Sequence, residues 1–212
     1  MLIRACLLSA ALFSFGALSS GCASNDERTD SSGEEAAEEI SPRIAGALQD
    51  GEEPRELVTQ ARATIEPLGD SGLSGTVTFA PSDLGMQVTY MLDGLTEGVY
   101  GFHVHENGSC ANGEDGAAGG AAGGHFNPDG VAHGAPNLPV GQRHLGDLGN
   151  IHALSDGRIL GSFNESIASL DGPESIVGKA LIIHADEDDF MTQPTGNAGA
   201  RIGCGVITGV EV

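Results

Sequence analysis

The chain is 212 residues long, which fits one domain of ordinary size with appendages, or two small domains. Acidic residues outnumber basic ones by 30 to 9, and the net charge of -21 argues against nucleic acid or an anionic membrane surface as a partner. A content of 4% aromatic residues, no tryptophan and 33 glycines argues against a helix bundle and favours short strands joined by many turns. The sequence therefore predicts an all-β fold.

Residues 1–22 have the features of an export signal, which predicts a periplasmic or cell-envelope protein. Arg4 supplies the positive start, an apolar run follows, and small residues precede Cys22. Removal of the signal would take Cys6 with it and leave an odd number of cysteines, which indicates a separate role for Cys22. The segment LSSGC that ends at Cys22 is similar to the lipobox of bacterial lipoproteins, although its leucine stands one position early. This similarity predicts lipidation of Cys22 and a membrane anchor. The alternative is an ordinary cleaved signal.

Residues 23–66 are predicted to form an acidic, disordered tether. The segment holds 12 acidic and 4 basic side chains and few large apolar ones, so burial could not offset the entropy cost of ordering it. A short helix over residues 54–65 is the alternative within it, because Pro54 suits a first helical position and several apolar residues share a face. Residues 67–212 are predicted to form the one folded domain.

After residue 69 the sequence changes to short β-branched runs separated by glycine, proline and aspartate. The predicted strands cover residues 75–79, 86–92, 98–105, 158–163, 176–184 and 205–212. This spacing favours a sandwich or a barrel. Within the third strand the residues alternate, so Phe102 and Val104 should face the core while His103 and His105 share the opposite face. Two imidazoles on one face, with Cα atoms about 6.6 Å apart, can bind one metal ion.

Six of the seven histidines and one aspartate form a candidate metal-binding set. The set consists of His103, His105, His125, His133, His144, His184 and Asp147. The glycines beside these residues permit close approach of loops, and they are Gly123, Gly124, Gly134 and Gly146. Imidazole suits copper and zinc, with iron open on chemistry alone, whereas magnesium and calcium prefer oxygen ligands. The seventh histidine, His152, has no assigned role and is expected at the surface.

Four segments resemble the copper-zinc superoxide dismutases in sequence and in order. They are GFHVHE at 101–106, GHFNP at 124–128, HLGDLGN at 144–150 and GNAGARIGCGV at 196–206. The resemblance covers about residues 70–212 and implies a Greek-key, eight-stranded flattened barrel, or immunoglobulin-like sandwich, with long metal-binding loops. It also implies dismutation of superoxide to oxygen and hydrogen peroxide by a copper redox cycle, with zinc supporting the bridging histidine. The Gly/Ala-rich loop 113–124 and the segment MTQP at 191–194 look like exported bacterial members.

The resemblance further implies a role for each candidate residue. Copper would be held by His103, His105, His125 and His184, and zinc by His125, His133, His144 and Asp147. His125 would bridge the metals and supply a proton to the departing peroxide, and Arg201 would attract the substrate anion. Asp188 would link a copper histidine to a zinc histidine, with a solvated place in the acidic run 186–189 as the alternative. Cys110 and Cys204 would form a disulfide bond.

Two other classes of function are alternatives to an enzyme. A copper-binding or copper-delivery module on the same fold usually lacks some ligands or the arginine, and all are present here. A structural adhesion sandwich has no use for six converging imidazoles. Superoxide and, through the lipid, a membrane are the expected partners, with no nucleic acid. The sequence does not determine which membrane leaflet would hold the lipid. It is compatible with a homodimer but does not fix the oligomeric state. It also leaves open how the substrate is steered, since residues 185–200 contain no lysine.

Overall fold

A computed structural model describes residues 58–210 of the chain. The predicted signal, Cys22, and the tether up to residue 57 lie outside the described residues, as do residues 211–212. The described range contains eight strands: β1 Gln60–Pro67, β2 Ser74–Ser82, β3 Gly85–Asp93, β4 Gly98–His105, β5 Asp147–Ala153, β6 Arg158–Glu165, β7 Ala180–His184 and β8 Arg201–Val210. A 3-10 turn covers Gly120–Ala122. Among residues 58–210, no helix has the length and apolar character needed to cross a membrane.

The strands form one antiparallel sheet with the order β5-β4-β7-β8-β1-β2-β3-β6. The two edge strands, β5 and β6, lie beside each other without pairing, so the sheet curls into a nearly closed barrel. The chain pairs β3 with β6 and β4 with β7, and these non-consecutive partners require long crossing connections. The predicted all-β, eight-stranded Greek-key barrel with long loops is confirmed.

The alternation predicted within β4 is also confirmed. Phe102 and Val104 are fully buried in the barrel core, where Phe102 packs near the rings of Tyr90 and Phe163. Their neighbours His103 and His105 point the other way and are buried as well. The long loops cover that outer face, so the imidazoles lie beneath loops rather than in the apolar core.

The predicted domain boundary at residue 67 is wrong, because residues 60–66 belong to β1. This strand pairs with β2 on one side and with β8 on the other, and its alternate residues Ala61, Ala63 and Ile65 are buried. Neither the tether nor the alternative helix extends over these residues. The small alanine side chains of β1 give a weak strand pattern, so the sequence did not predict this strand. The flanking strands β2 and β8 supply the hydrogen bonds that hold β1. Gly205 of β8 allows β1 to approach closely, since a Cβ on Gly205 would lie 2.3 Å from the Thr64 carbonyl oxygen.

The other strand bounds differ from prediction at places rich in glycine and polar residues. β5 was not predicted, because its sequence DLGNIHA carries few β-branched residues. β7 begins at Ala180 rather than at residue 176, and β8 begins four residues earlier than predicted, at Arg201.

Candidate metal centre

A triangle of backbone hydrogen bonds joins the three segments that carry the candidate ligands. Val104 of β4 donates to Gly146 at 2.9 Å, Gly146 donates to Phe126 at 2.9 Å, and Phe126 donates to Val104 at 2.8 Å. Each of these residues is next to, or two positions from, a candidate ligand. The triangle therefore brings His125 and His144 to the outer face of β4, against its own two histidines.

The close approach in this triangle requires glycine at one corner. A Cβ on Gly146 would lie 2.1 Å from the Val104 carbonyl oxygen, and side chains on Gly123 and Gly134 would also clash with their neighbours. Gly124 differs from this expectation, because its nearest neighbour would be 3.9 Å away. The sequence reading missed Gly196, which has a φ of +67° and whose Cβ would lie 2.6 Å from Nε2 of His133.

The first side-chain cluster consists of buried histidines whose candidate ligand atoms lie within 4.8 Å of one another: His103, His105, His125 and His184. Nδ1 of His105 lies 2.9 Å from the Gly123 carbonyl oxygen, and Nδ1 of His184 lies 3.2 Å from that of Gly199. A carbonyl only accepts, so each Nδ1 carries the hydrogen and each Nε2 presents a lone pair. The two Nε2 atoms face each other at 3.3 Å. Two lone pairs at that distance repel, and a cation between them removes the repulsion.

The other two members of this cluster each present a nitrogen without a partner. His103 donates from Nε2 to Asp188 at 2.8 Å, which leaves its Nδ1 buried without a hydrogen bond. Nε2 of His125 is likewise buried without a partner. A buried polar atom without a hydrogen bond is costly, so these nitrogens fit a bound ion. Imidazole nitrogens are ligands that suit copper.

The second cluster shares His125 with the first, and its members are His125, His133, His144 and Asp147. Three Nδ1 atoms converge on Oδ1 of Asp147, from His125 at 2.7 Å, His133 at 3.0 Å and His144 at 3.1 Å. The second oxygen, Oδ2, accepts from the backbone nitrogens of His144 and Gly134. The carboxylate is therefore fixed by one oxygen, and the other is directed at the three imidazoles.

Two of these imidazoles have their outer nitrogen held by an acceptor. Nε2 of His144 lies 3.1 Å from the Val131 carbonyl oxygen, and Nε2 of His133 lies 2.9 Å from Oδ1 of Asp188. In the neutral form, each Nδ1 would therefore direct a lone pair at the Asp147 carboxylate. A divalent cation with tetrahedral nitrogen and oxygen ligands, as zinc prefers, would satisfy all four groups.

The pKa values of these histidines distinguish the two clusters in the metal-free chain. Burial lowers the pKa of His125 to about 4 and that of His184 to about 3, and it lowers the pKa of His105 well below its usual value. For His133 burial acts in the same direction, but the adjacent carboxylates of Asp147 and Asp188 prevail and raise its pKa to about 9. Three imidazoles of the first cluster are thus neutral at neutral pH, whereas a metal entering the second cluster displaces a proton.

Asp188 connects the two clusters. Its carboxylate accepts from His103 at 2.8 Å and from His133 at 2.9 Å, and it is 1% exposed, so it is not a solvated member of the acidic run. The sequence reading missed Asn150, whose side chain accepts from the Asp188 backbone nitrogen at 2.8 Å and donates to its carbonyl oxygen at 2.9 Å. Asn150 therefore fixes the bridging carboxylate to β5.

Arg201 lies beside the first cluster at the start of β8, where it pairs with His184 of β7. Its guanidinium donates to the carbonyl oxygens of Gly119 and Gly123, and the second of these also accepts from His105. Arg201 and Asp115 line a cavity of about 470 Å³. Burial lowers the pKa of Arg201, but a guanidinium in a protein keeps its charge. A permanent cation therefore stands at this opening, and it shares the Gly123 carbonyl with His105 of the first cluster, although no clustered histidine lines the cavity.

The remaining predicted residues lie as follows. Cys110 and Cys204 are joined by a disulfide bond, which ties the loop after β4 to β8 across 94 positions of sequence. His152 is exposed on β5 and lines a separate groove with Glu187 and Phe190, to which none of the clustered side chains contributes.

Comparisons with known proteins agree with this geometry. The sequence profile of copper/zinc superoxide dismutase matches residues 73–207. An extracellular Cu-Zn superoxide dismutase of Caenorhabditis elegans is 41% identical over 145 residues, which are 66% of this chain and 62% of that protein. A Cu-Zn superoxide dismutase of Deinococcus radiodurans is 40% identical over 146 residues, 66% of this chain and 79% of that one.

Two further comparisons cover more of the chain. An extracellular Cu-Zn superoxide dismutase of Drosophila melanogaster is 37% identical over 179 residues, which are 79% of this chain and 95% of that protein. A crystal structure of the clock protein EA4 superposes on this chain with a TM-score of 0.66 at 34% sequence identity. The superposition covers 75% of this chain and 99% of the EA4 chain. From the matching profile, the similar relatives and the two histidine clusters that share one residue, it follows that this chain belongs to the copper/zinc superoxide dismutase family.

Proposed function

We propose that the chain dismutes superoxide, converting two superoxide anions and two protons to oxygen and hydrogen peroxide. The observation that carries the proposal is the pair of buried clusters that share His125. Imidazole nitrogens converge in the first cluster, and imidazole nitrogens converge on a carboxylate oxygen in the second. A purely structural sandwich has no reason to bury such mutually repelling atoms.

Each cluster fits one of the two metals that the family uses. Copper would be held by His103, His105, His125 and His184, and zinc by His125, His133, His144 and Asp147. Copper supplies one-electron redox chemistry when bound, and zinc, which has none, supplies a fixed positive charge. The carbonyls of Gly123 and Gly199 and the Asp188 carboxylate each hold one nitrogen of His105, His184 and His103, and so set the tautomer of these three ligands before any metal arrives.

Two side chains of the chain act on the substrate and its protons. Arg201 attracts the small anion at the opening, because its charge is independent of pH in the working range. His125 would carry a proton at Nε2 as a neutral imidazole when a cation in the second cluster takes Nδ1, because neutral imidazole holds a single hydrogen. A proton placed there is sheltered from bulk water and can be passed to the peroxide as it leaves.

The test uses the full chain exported by a bacterial host, with copper and zinc measured alongside the rate of superoxide decay. We expect one copper and one zinc per chain and a rate that rises in proportion to bound copper. His105→Ala provides the matched control, because it removes a ligand of the first cluster alone. A fully loaded chain without dismutation would reject the enzyme and favour the copper-binding or copper-delivery module.

We further propose that the chain is exported and held at the cell envelope by a lipid on Cys22. Two relatives bear the name extracellular, and the disulfide bond fits an oxidising compartment, both of which support export. Residues 23–57 would then act as the tether between lipid and barrel, because Val58 already packs against the barrel core. Stable anchoring requires more than one acyl chain, as bacterial lipoproteins carry. Mass spectrometry of the mature N-terminus tests the proposal, and a start other than modified Cys22 would leave a free periplasmic protein.

A homodimer is the assembly we propose for the barrel. Met91 and Leu160 face each other across β3 and β6 and are 62% and 48% exposed, so they offer an apolar contact surface. Sedimentation of the exported protein over a range of concentrations tests this assembly. A single species with the mass of one chain at every concentration would reject it.

A further inference from the structure

The side-chain amide of Gln193 forms hydrogen bonds with the backbone of His133, one of the histidines of the second cluster. Oε1 of Gln193 accepts from the His133 backbone nitrogen at 2.8 Å, and Nε2 donates to the His133 carbonyl oxygen at 2.9 Å. The second hydrogen of Nε2 is directed at the Met191 carbonyl oxygen, at 3.3 Å. Both donor hydrogens and the acceptor of this one amide are therefore used.

The backbone of His133 has little else to hold it. The residue lies outside the regular strands, and within residues 58–210 no backbone-to-backbone hydrogen bond involves it. Its neighbour Gly134 is fixed by a hydrogen bond to Asp147. The position of the His133 backbone thus depends on the Gln193 amide, while Asp188 orients its imidazole.

The segment that carries Gln193 is stabilised by hydrogen bonds within itself, so it can hold Gln193 in a fixed position. The Asp189 carboxylate accepts from the backbone nitrogens of Met191 and Thr192 and from the Thr192 hydroxyl. Gly196 donates to the Thr192 carbonyl at 2.6 Å and accepts from the Asp189 nitrogen at 2.9 Å. None of these contacts needs a metal. The segment 188–196 therefore holds His133 at two places, the imidazole through Asp188 and the backbone through Gln193.

We propose that Gln193 is a positioning residue for the zinc site, acting through His133. By fixing the backbone of His133, the amide keeps Nδ1 directed at Asp147, 3.0 Å away. The inference rests on the proposed assignment of zinc to the second cluster. Partners that orient metal ligands typically change metal affinity by about 10- to 100-fold when they are removed.

The experiment measures how fast zinc leaves the copper-free, zinc-loaded full chain for a chromophoric chelator. Gln193→Ala removes all three hydrogen bonds, and Gln193→Glu keeps an acceptor for the His133 nitrogen but cannot donate to the His133 carbonyl. We expect zinc release about 10- to 100-fold faster in Gln193→Ala and faster than wild type in Gln193→Glu. Gln87→Ala, an exposed glutamine on β3, provides the control and should release zinc at the wild-type rate.

Two further readouts separate positioning from a general structural role. With cobalt in place of zinc, the visible spectrum should change in Gln193→Glu, because the ligand geometry changes. The unfolding midpoint of the metal-free variants should stay near that of Gln87→Ala. A large fall in that midpoint, together with equal loss of copper and zinc from Gln193→Ala loaded with both metals, would overturn the inference in favour of a structural role.

The outcomes also distinguish this inference from the function on which it rests. If the wild type retains zinc and Gln193→Ala releases it at the same rate, the positioning role is refuted and the zinc site stands. If the wild type binds no zinc or cobalt at all, the assignment of zinc to the second cluster is refuted, and the role of Gln193 with it.

Discussion

At the scale of single residues, the chemistry of the site follows from which nitrogen of each imidazole is already occupied. Carbonyl oxygens and the Asp188 carboxylate hold one nitrogen of His103, His105 and His184, and the other nitrogen remains for a metal. His125 differs from these three, because its two nitrogens face different clusters. Loss of this one side chain should therefore have an effect that loss of no other histidine has.

We predict that His125→Ala impairs copper and zinc retention together, while His184→Ala lowers copper far more than zinc. His184 belongs to the first cluster alone, whereas His125 belongs to both. Metal analysis of the two variants after the same purification checks the prediction. Zinc at the wild-type level in His125→Ala would mean that the sites are separate.

For Arg201 we predict a loss of activity that depends on the charge of the replacement. At an assumed separation of about 5 Å and an effective dielectric near 20, attraction for a unit anion is on the order of 3 kcal/mol. Arg201→Ile should lower the rate per bound copper by about one to two orders of magnitude, and Arg201→Glu by more. Activity per copper across ionic strengths measures this.

The competing explanation is that Arg201 has a structural role, because it donates hydrogen bonds to the carbonyl oxygens of Gly119 and Gly123. If Arg201 only ties that loop in place, the apolar and acidic variants should be equally slow at every salt concentration and should lose metal alike. That result would leave Arg201 as a structural residue.

At the scale of secondary-structure elements, a buried ion pair attaches the loop that carries the second cluster to β6. Arg143 is 1% exposed and donates to Glu165 at 2.6 Å and to the backbone carbonyls of Leu138, His144 and Asp147. Removal of one partner leaves an uncompensated buried charge. The position of the His144–Asp147 turn therefore depends on a side chain that takes no part in metal binding.

We predict that Arg143→Met lowers the free energy of unfolding of the metal-free chain by about 3–5 kcal/mol. Zinc retention should fall as well, because the Asp147 carbonyl loses its donor. Urea unfolding measures the first effect and metal analysis the second. Arg158→Met is the matched control, since Arg158 pairs with Asp156 at an exposed site and should leave stability unchanged. Equal losses in the two variants would contradict the prediction.

The elements that could be predicted from the sequence are those whose pattern is local. Alternation in β4 predicted the two histidines on one face, and that arrangement is confirmed. β1 and β5 were missed because alanine, glycine and polar residues weaken a local β signal. Pairing holds both strands, β1 with its neighbour β2 and with the distant β8, and β5 with the distant β4. Whether residues 23–57 form the tether stays a prediction.

The candidate site likewise contains residues that the sequence predicts and residues that it does not. The ligand set came from the resemblance, and the structure brings all seven side chains together, while their metal binding stays a prediction. Asn150 and Gln193 were missed because a single amide in a polar segment has no pattern of its own. Their roles arise from contacts with backbone atoms that are 38 and 60 positions away in sequence.

At the scale of the whole molecule, the buried histidines make the stability of the metal-free chain depend on pH in two directions. The pKa values of His125 and His184 are lowered from 6.5 to about 4 and 3, so below pH 6.5 the unfolded chain binds more protons than the folded one. The pKa of His133 is raised to about 9, so between 6.5 and 9 the folded chain binds more. Stability from the first pair is lost as pH falls, and stability from His133 is lost as pH rises.

We therefore predict that the free energy of unfolding of the metal-free chain is greatest near pH 6.5 and decreases on either side. Urea unfolding at a series of pH values between 4.5 and about 9 checks this. Chain loaded with zinc is the control, because the metal replaces the proton on His133 and removes the decrease above pH 6.5. Stability that rises steadily from pH 6.5 to 9 in the metal-free chain would contradict the prediction.

The Asp188 carboxylate and the His125 ring each touch both clusters, and this has a thermodynamic consequence. Two binding sites joined by shared groups have a coupling free energy, and that energy is reciprocal. By whatever factor bound zinc changes the affinity for copper, bound copper changes the affinity for zinc by the same factor. If the coupling is favourable, a cell compartment poor in one metal weakens retention of the other, and the scarcer metal sets how much of the protein carries the complete pair.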